Sequence, residues 1–232
     1  MIKVLGVSSS PRAGGNTDEM VRAALAGAAQ IPEVETEFVG LRGKLNGCVD
    51  CGKCPVDPEK GAYCVQKDVM SGVYPKLLAC DALILGAPTY SGTLNAQAKM
   101  FMDRFRPLTR MGLSMAYKVG GALSVGGSRN GGQEKTISAI VDWYLLTGMF
   151  PVGATDILQT GPMGLAFRKG MLAQDAWDYE CRPGMRVTAY SQSESYGRKV
   201  AAVARMVKAG MEAEDPRQYL SDFVLNKEDF AE

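Results

Sequence analysis

The 232-residue sequence contains no histidine. That absence removes Ser-His-Asp and Cys-His nucleophilic catalysis, the HExxH metal site and the Cys₂His₂ zinc finger, because each needs an imidazole as base or ligand. Excess charge of one sign is missing too: 26 Lys and Arg offset 25 Asp and Glu, for a net charge of +1. A chain so balanced presents no broad basic face, so neither nucleic acid nor an anionic membrane is expected as a partner. No apolar run approaches the ~18 residues of a membrane span. The opening MIKVLGVS is too short for a signal-peptide core and is followed by no small-residue cleavage site. No internal repeat, low-complexity tract or linker interrupts the chain, which reads as a single domain over residues 1–232. Any chemistry must come from thiols, carboxylates, hydroxyls or a bound cofactor.

Cysteine is what the sequence does have. Six lie at positions 48, 51, 54, 64, 80 and 181, and four of them crowd into residues 48–64. A secreted disulfide scaffold is usually shorter and spreads its cysteines, so a cytoplasmic chain with reduced thiols is expected.

Short apolar runs at Ile2–Val7, Val34–Val39, Ala82–Gly86 and Gly120–Val125, with a weaker fifth at Val152–Ile157, read as strands. Their continuous hydrophobicity is that of parallel strands covered on both faces, Val34–Val39 being the more alternating. Helical patterns fall between them at Asn16–Ala29, Asp68–Ala79, Asn95–Phe105, Gln133–Leu146 and Glu194–Ala209. Asn16-x-x-Glu19 has capping-box spacing, and Gly148 and Gly210 read as helix stops. The alternation predicts an α/β fold, a flavodoxin-like doubly wound five-stranded parallel sheet of order 2-1-3-4-5. Residues 40–66 form a cysteine-rich loop after the second strand. Residues 158–190 form an irregular insertion before the last helix, and residues 211–232 a C-terminal tail suited to packing on a neighbour. The insertion, with Phe167, Trp177 and Tyr179, suits a lid or an oligomer contact.

Three loops follow strands at the carboxyl edge where such folds bind ligands. Ser8–Thr17 (SSSPRAGGNT) runs straight into a helix, so hydroxyls, backbone N–H groups and the Arg12 cation converge as an anion site. It is neither a GxGxxG turn nor a Walker loop. Gly86–Leu94 (GAPTYSGTL) offers turn residues and the aromatic face of Tyr90, suited to lining a flat ring. Gly126–Gly132 holds four glycines in seven residues, which permits close backbone approach. Each loop alone is also an ordinary turn. Together, a phosphate site beside a ring slot is what FMN requires.

These residues, SSSPR-x-GGNT, GAPTYSGTLNAQAKMFMDR and GGS…GGQE, resemble the NAD(P)H-dependent FMN reductase family; with the cysteine cluster, the chain is most similar to its iron–sulfur flavoprotein branch. The resemblance covers about residues 1–155 and implies FMN bound non-covalently. Its phosphate would lie on Ser8, Ser10, Arg12, Asn16 and Thr17, and its ring along Pro88, Thr89, Tyr90, Ser91, Gly92, Thr93 and the Gly126–Gly127 turn. It also implies a homodimer or homotetramer with each FMN near a neighbour's cluster.

Cys48-x₂-Cys51-x₂-Cys54-Pro55, with Cys64 nine residues further on, is a spacing by which one loop can supply three thiolates to a [4Fe–4S] cluster and a fourth from beyond. Structural zinc, which favours paired C-x₂-C knuckles, and a redox thiol or disulfide remain open on the same residues. The iron–sulfur flavoproteins it resembles usually have a shorter gap before the fourth cysteine, so Cys181 stands as the substitute for Cys64. Cys80 reads as a buried thiol beside a strand. The function expected is an FMN-dependent oxidoreductase with a [4Fe–4S] cluster, fed by ferredoxin or NAD(P)H and passing electrons to a small acceptor. The alternatives are a cluster-free NAD(P)H:FMN or quinone reductase with a zinc or disulfide site, and a flavodoxin-like electron carrier without a substrate.

Overall fold

The computed structural model describes residues 1–128, 130–154, 161–166, 179–182 and 185–219. Its centre is a parallel sheet built from β1 (Ile2–Ser8), β2 (Val34–Gly40), β3 (Ala82–Tyr90), β5 (Val119–Gly126) and β6 (Phe150–Val152), in the order β2-β1-β3-β5-β6. Counting only these main strands, the order is the expected 2-1-3-4-5.

Strict alternation explains why the strand sequences look apolar throughout. In β3, Ala82 and Ile84 face one core while Leu83 and Leu85 face the other. The first core is covered by α1 (Asn16–Ala28), through Met20, Val21 and Leu25, and by α6 (Ala189–Ala213), through Tyr196, Val200 and Ala204. The second is covered by α2 (Met70–Ala79), α3 (Ala96–Asp103), α4 (Arg106–Arg110) and α5 (Gln133–Leu146). There Phe101, Phe105 and Trp143 pack edge to face with ring centroids 4.4–5.8 Å apart.

Several expectations are corrected. β2 is not buried on both faces: it is the sheet's edge strand, and Glu35, Thr36 and Glu37 are exposed. Residues 87–90, read as loop, continue β3. Thr89 and Tyr90 pair antiparallel with β4 (Thr93–Leu94) through Ser91 and Gly92, both at positive φ (50° and 83°), as a two-residue hairpin turn requires. The fifth strand occupies Phe150–Val152 rather than starting at Val152; residues 155–157 of that expectation lie outside the described residues. Beside the far end of β5, β7 (Met163–Leu165) takes up the same edge. The expected irregular insertion therefore holds a sheet strand and an antiparallel pair, β8 (Tyr179–Arg182) and β9 (Met185–Val187). Phe167, Trp177 and the side chains of Tyr179 and Cys181 lie outside the described residues, as does the tail beyond Tyr219.

Helix ends differ too. Asn16 is the first helical residue rather than a cap; the cap position is Gly15, which has no side chain to occupy the first turn. The last helix starts earlier, at Ala189, because Thr188 and Ser191 form a reciprocal capping box, and it runs through Gly210 to Ala213.

Among the described residues no helix is long and apolar enough to cross a membrane.

Candidate functional site

The carboxyl ends of β1, β3 and β5 enclose a cavity of about 300 Å³ lined by residues of three segments: Ser10, Arg12, Gly15, Asn16 and Thr17 after β1; Pro88, Thr89 and Tyr90 at the end of β3; and Gly126 and Gly127 at the end of β5. Larger hollows of about 530 and 690 Å³ lie between β2 and α2 and between α3 and α5, but neither joins a helix N-terminus to glycine-rich backbone. The chemistry, not the volume, marks the smaller one.

Its first wall is the turn into α1. Ser10 Oγ accepts from Arg12 N and donates to Arg12 O, both at 3.2 Å, and Ser10 N donates to Ser8 Oγ at 3.3 Å. Ser8 is fully buried behind this turn and shapes it from below instead of lining the cavity. Ser9, which sequence reasoning passed over, locks the turn to the next loop. Its hydroxyl donates to Asn95 Oδ1 at 2.8 Å, and Asn95 Nδ2 returns a bond to Ser9 O at 2.7 Å. Both residues are buried, and nothing in their spacing signals the pairing.

The second and third walls are tied by hydroxyls. Thr89 Oγ1 lies 2.9 Å from Ser124 Oγ and 3.0 Å from Thr136 Oγ1, and Thr136 donates to Gly132 O. Gly132, at φ 108°, lies directly against the Gly92 backbone. Ser91, Gly92 and Thr93 thus sit in the hairpin that braces the ring loop, off the cavity wall itself. Gln133 is 1% exposed, donates to Ser128 O at 2.8 Å, and lays its amide where a Cβ on Gly126 would fall. Val125 and Ala166 complete the lining, the latter from the segment after β7, which no sequence signal had placed here.

These residues fit FMN. Hydroxyls, a fixed cation and the uncapped first turn of α1 suit a phosphate, and Gly126 and Gly127 let backbone lie flat against a ring.

The four cysteines of the 40–66 loop are arranged differently. Cys48 and Cys51 are exposed, Cys54 and Cys64 half-buried. Burial pushes the Cys54 thiol up; Arg110 and Arg106 oppose this, while Cys64 and Cys48 add to it, so both of those thiols lie within electrostatic reach of Cys54. Arg110 Nη1 donates to Gly52 O at 2.9 Å and to Cys54 O at 3.4 Å, and Arg106 pairs with Asp50 at 2.5 Å. Among the described residues, however, no three cysteine, aspartate or glutamate side chains converge as a metal-binding group. The donor types suit a cluster; their placement here does not enclose one. Cys80 stands apart, buried beside β3, with its thiol pushed up to about 11 by burial and donating to Leu77 O at 3.3 Å.

Comparison with known proteins agrees with the cavity. Residues 2–159 match the family described as NADPH-dependent FMN reductase. The chain is 40% identical over 209 residues to an iron-sulfur flavoprotein of Methanocaldococcus jannaschii, covering 89% of this chain and 100% of that one. It is 42% identical over 153 residues to an iron-sulfur flavoprotein of Methanosarcina thermophila, covering 66% and 78%. Among solved structures, the flavodoxin, WrbA-like protein of Agrobacterium tumefaciens has the same fold, with a TM-score of 0.59 at 21% identity over 89% of this chain and 99% of that one. With the flavin-type cavity, the family match and relatives so named, the chain belongs to the NADPH-dependent FMN reductase family, in its iron–sulfur flavoprotein branch.

Proposed function

We propose that this FMN-dependent oxidoreductase takes electrons from NAD(P)H or a ferredoxin and delivers them to a small-molecule acceptor, with FMN held across β1, β3 and β5. The observation that carries the reading is the convergence of three separate segments, at the ends of three strands, on one cavity at that edge. FMN bound there would supply the redox chemistry, accepting an electron pair as hydride and releasing electrons singly. The chain supplies binding and orientation. Ser10, Arg12, Asn16 and Thr17 would hold the phosphate against the α1 N-terminus, with Ser8 shaping the turn. Pro88, Thr89 and Tyr90 would line the ring on one side and Gly126 and Gly127 on the other, with Ser91–Thr93 bracing them. The Thr89–Ser124–Thr136 hydroxyl network would keep those walls rigid. Hydride transfer to a flavin needs no side-chain acid, in keeping with a chain that has no histidine.

The loop bearing Cys48, Cys51, Cys54 and Cys64 is the seat we assign to a [4Fe–4S] cluster. Supporting this are the C-x₂-C-x₂-C-P spacing, the influence of Cys48 and Cys64 on the Cys54 thiol, and relatives named iron-sulfur flavoproteins. Ligation would have to draw the thiols together. The second reading, a cluster-free NAD(P)H:FMN or quinone reductase, is favoured by one observation: the side chains do not converge as they stand. A cytoplasmic homodimer or homotetramer completes the proposal on the strength of the family resemblance.

Anaerobic purification tests both readings, with a visible spectrum, metal and sulfide analysis, and rapid mixing with NADPH and NADH. Stoichiometric FMN reduced by a nicotinamide is expected, with about four iron and four sulfide per chain. Zinc without sulfide overturns the cluster assignment, and a chain that binds no flavin overturns the whole reading.

A further inference from the structure

Asp18 and Arg42 form an ion pair directly behind the Arg12–Gly14 turn, and no cavity residue accounts for it. Asp18 is the third residue of α1 and its side chain is 2% exposed; the Arg42 side chain is 27% exposed. The pair grips the turn by its backbone. Asp18 Oδ2 accepts from Gly14 N at 2.8 Å, and Arg42 Nη2 donates both to that oxygen and, at 3.2 Å, to Arg12 O. Arg42 reaches the turn from the segment after β2 by doubling back over Gly40, where any Cβ would collide with the guanidinium.

Stability alone does not explain the pair. Asp18 Oδ1 and Arg42 Nε are buried without a hydrogen-bond partner, so its desolvation is incompletely offset. Its position is also electrostatically unfavourable for a phosphate site. A carboxylate in the first turn of α1 uses the helix's positive end and repels an incoming dianion. Arg42 removes both difficulties: it cancels the carboxylate's charge and fixes the Arg12 carbonyl, so the turn keeps its shape with its N–H groups available to an anion.

We propose that Arg42 is the positioning residue of the phosphate turn, making a site that contains a buried carboxylate able to take the phosphate of FMN. The inference rests on the reading of this cavity as the FMN site. It concerns the phosphate alone, so riboflavin, which shares the ring and lacks the phosphate, is the control ligand.

The experiment strips flavin from the full-length protein and titrates FMN and riboflavin by fluorescence quenching. Arg42→Ala is expected to weaken FMN binding by about 10–100-fold, the size of a charge-assisted interaction, while riboflavin affinity changes by less than about 2-fold. Asp18→Asn in the Arg42→Ala background is expected to restore FMN affinity to within a few-fold of wild type, because the uncompensated carboxylate is gone. Asp18→Asn alone keeps an acceptor for Gly14 N and should hold or tighten FMN binding. Equal losses for FMN and riboflavin, an unchanged FMN affinity in Arg42→Ala, or no rescue in the double variant overturns the proposal. Should Arg42→Ala not fold, Asp18→Asn decides alone: FMN binding weakened relative to riboflavin overturns it. Wild-type protein that binds neither ligand would instead refute the FMN reading itself.

Discussion

Arg104 and Asp68 meet as a bidentate ion pair with both side chains no more than 1% exposed, Nη1 to Oδ2 at 2.7 Å and Nη2 to Oδ1 at 3.1 Å. The pair closes the base of the cysteine loop. Arg104 Nη1 also donates to Asn46 O, and Asp68 accepts from Asn46 N and Met70 N, so the chain is held where it enters and leaves residues 47–67. Lys44 O and Gly47 O accept from Val69 N and Gln66 Nε2, which doubles the closure.

Removing either partner strands a buried charge. Arg104→Ala is expected to cost about 3–5 kcal/mol, read as a shift in the denaturant midpoint. A variant with both residues made apolar should recover only part of this, since Asn46 N and Met70 N would still lose their acceptor. The pH dependence has a definite sign. Burial alone would raise the Asp68 carboxyl, but Arg104 and the Asn46 N–H outweigh it and hold the group below the usual carboxylate range. Its contribution is therefore fully present above about pH 4 and lost as pH falls through the folded value. A stability difference between wild type and Asp68→Asn that stays constant down through that window would contradict the assignment.

The sheet was legible because strand burial writes itself into composition: Leu83, Ile84 and Leu85 alternate between two cores, so every position is apolar. The three cavity loops were legible because glycine, serine and proline concentrate where chain turns at a strand end. The buried polar struts were not. Arg104, Asp68, Asp18, Arg42, Ser9 and Asn95 look in sequence like surface residues, and only tertiary closure reveals their partners, 24 to 86 positions away. Thr93 and Leu94 fell short of the length at which strand periodicity can be read.

Glycine substitutions should separate a packed contact from mere chain punctuation. Gly132 holds φ 108° against the Gly92 backbone, so Gly132→Ala adds both a strained conformation and a collision. A loss of about 2 kcal/mol or more is expected, together with weakened flavin binding as the ring loops part. Gly210 has the opposite environment, inside α6 and exposed, with open space where a Cβ would sit. Gly210→Ala should stabilise the chain by about 0.5–1 kcal/mol. Thermal melts of both variants check the contrast.

Cys80 gives a test in the alkaline range. Its folded thiol is pushed up to about 11 by burial, so the unfolded chain ionises first. Stability from this group is complete below the ordinary thiol range and falls by about 2–3 kcal/mol as pH rises from about 9 to 11. Cys80→Ala removes that dependence, so the stability difference between the two proteins should shrink across those pH values. A difference that stays flat would show the thiol to be less desolvated than its burial implies.

Thiol reactivity maps the cysteine loop without any bound metal. In metal-free protein, Cys48 and Cys51 should alkylate first because they are exposed, and Cys80 last. Cys54 is the informative residue, because Arg110 acts on it in two opposed ways. Its charge favours the thiolate, so losing it slows alkylation; its bonds to Gly52 O and Cys54 O hold the loop down, so losing them exposes the sulfur. Burial is the largest influence on the Cys54 thiol and the arginine charges are secondary. Release should therefore win, with Arg110→Ala speeding Cys54 alkylation several-fold as followed by peptide mass spectrometry. A slower rate in the variant would mean that Arg110 serves the thiols through its charge alone, and that the loop keeps its shape without it.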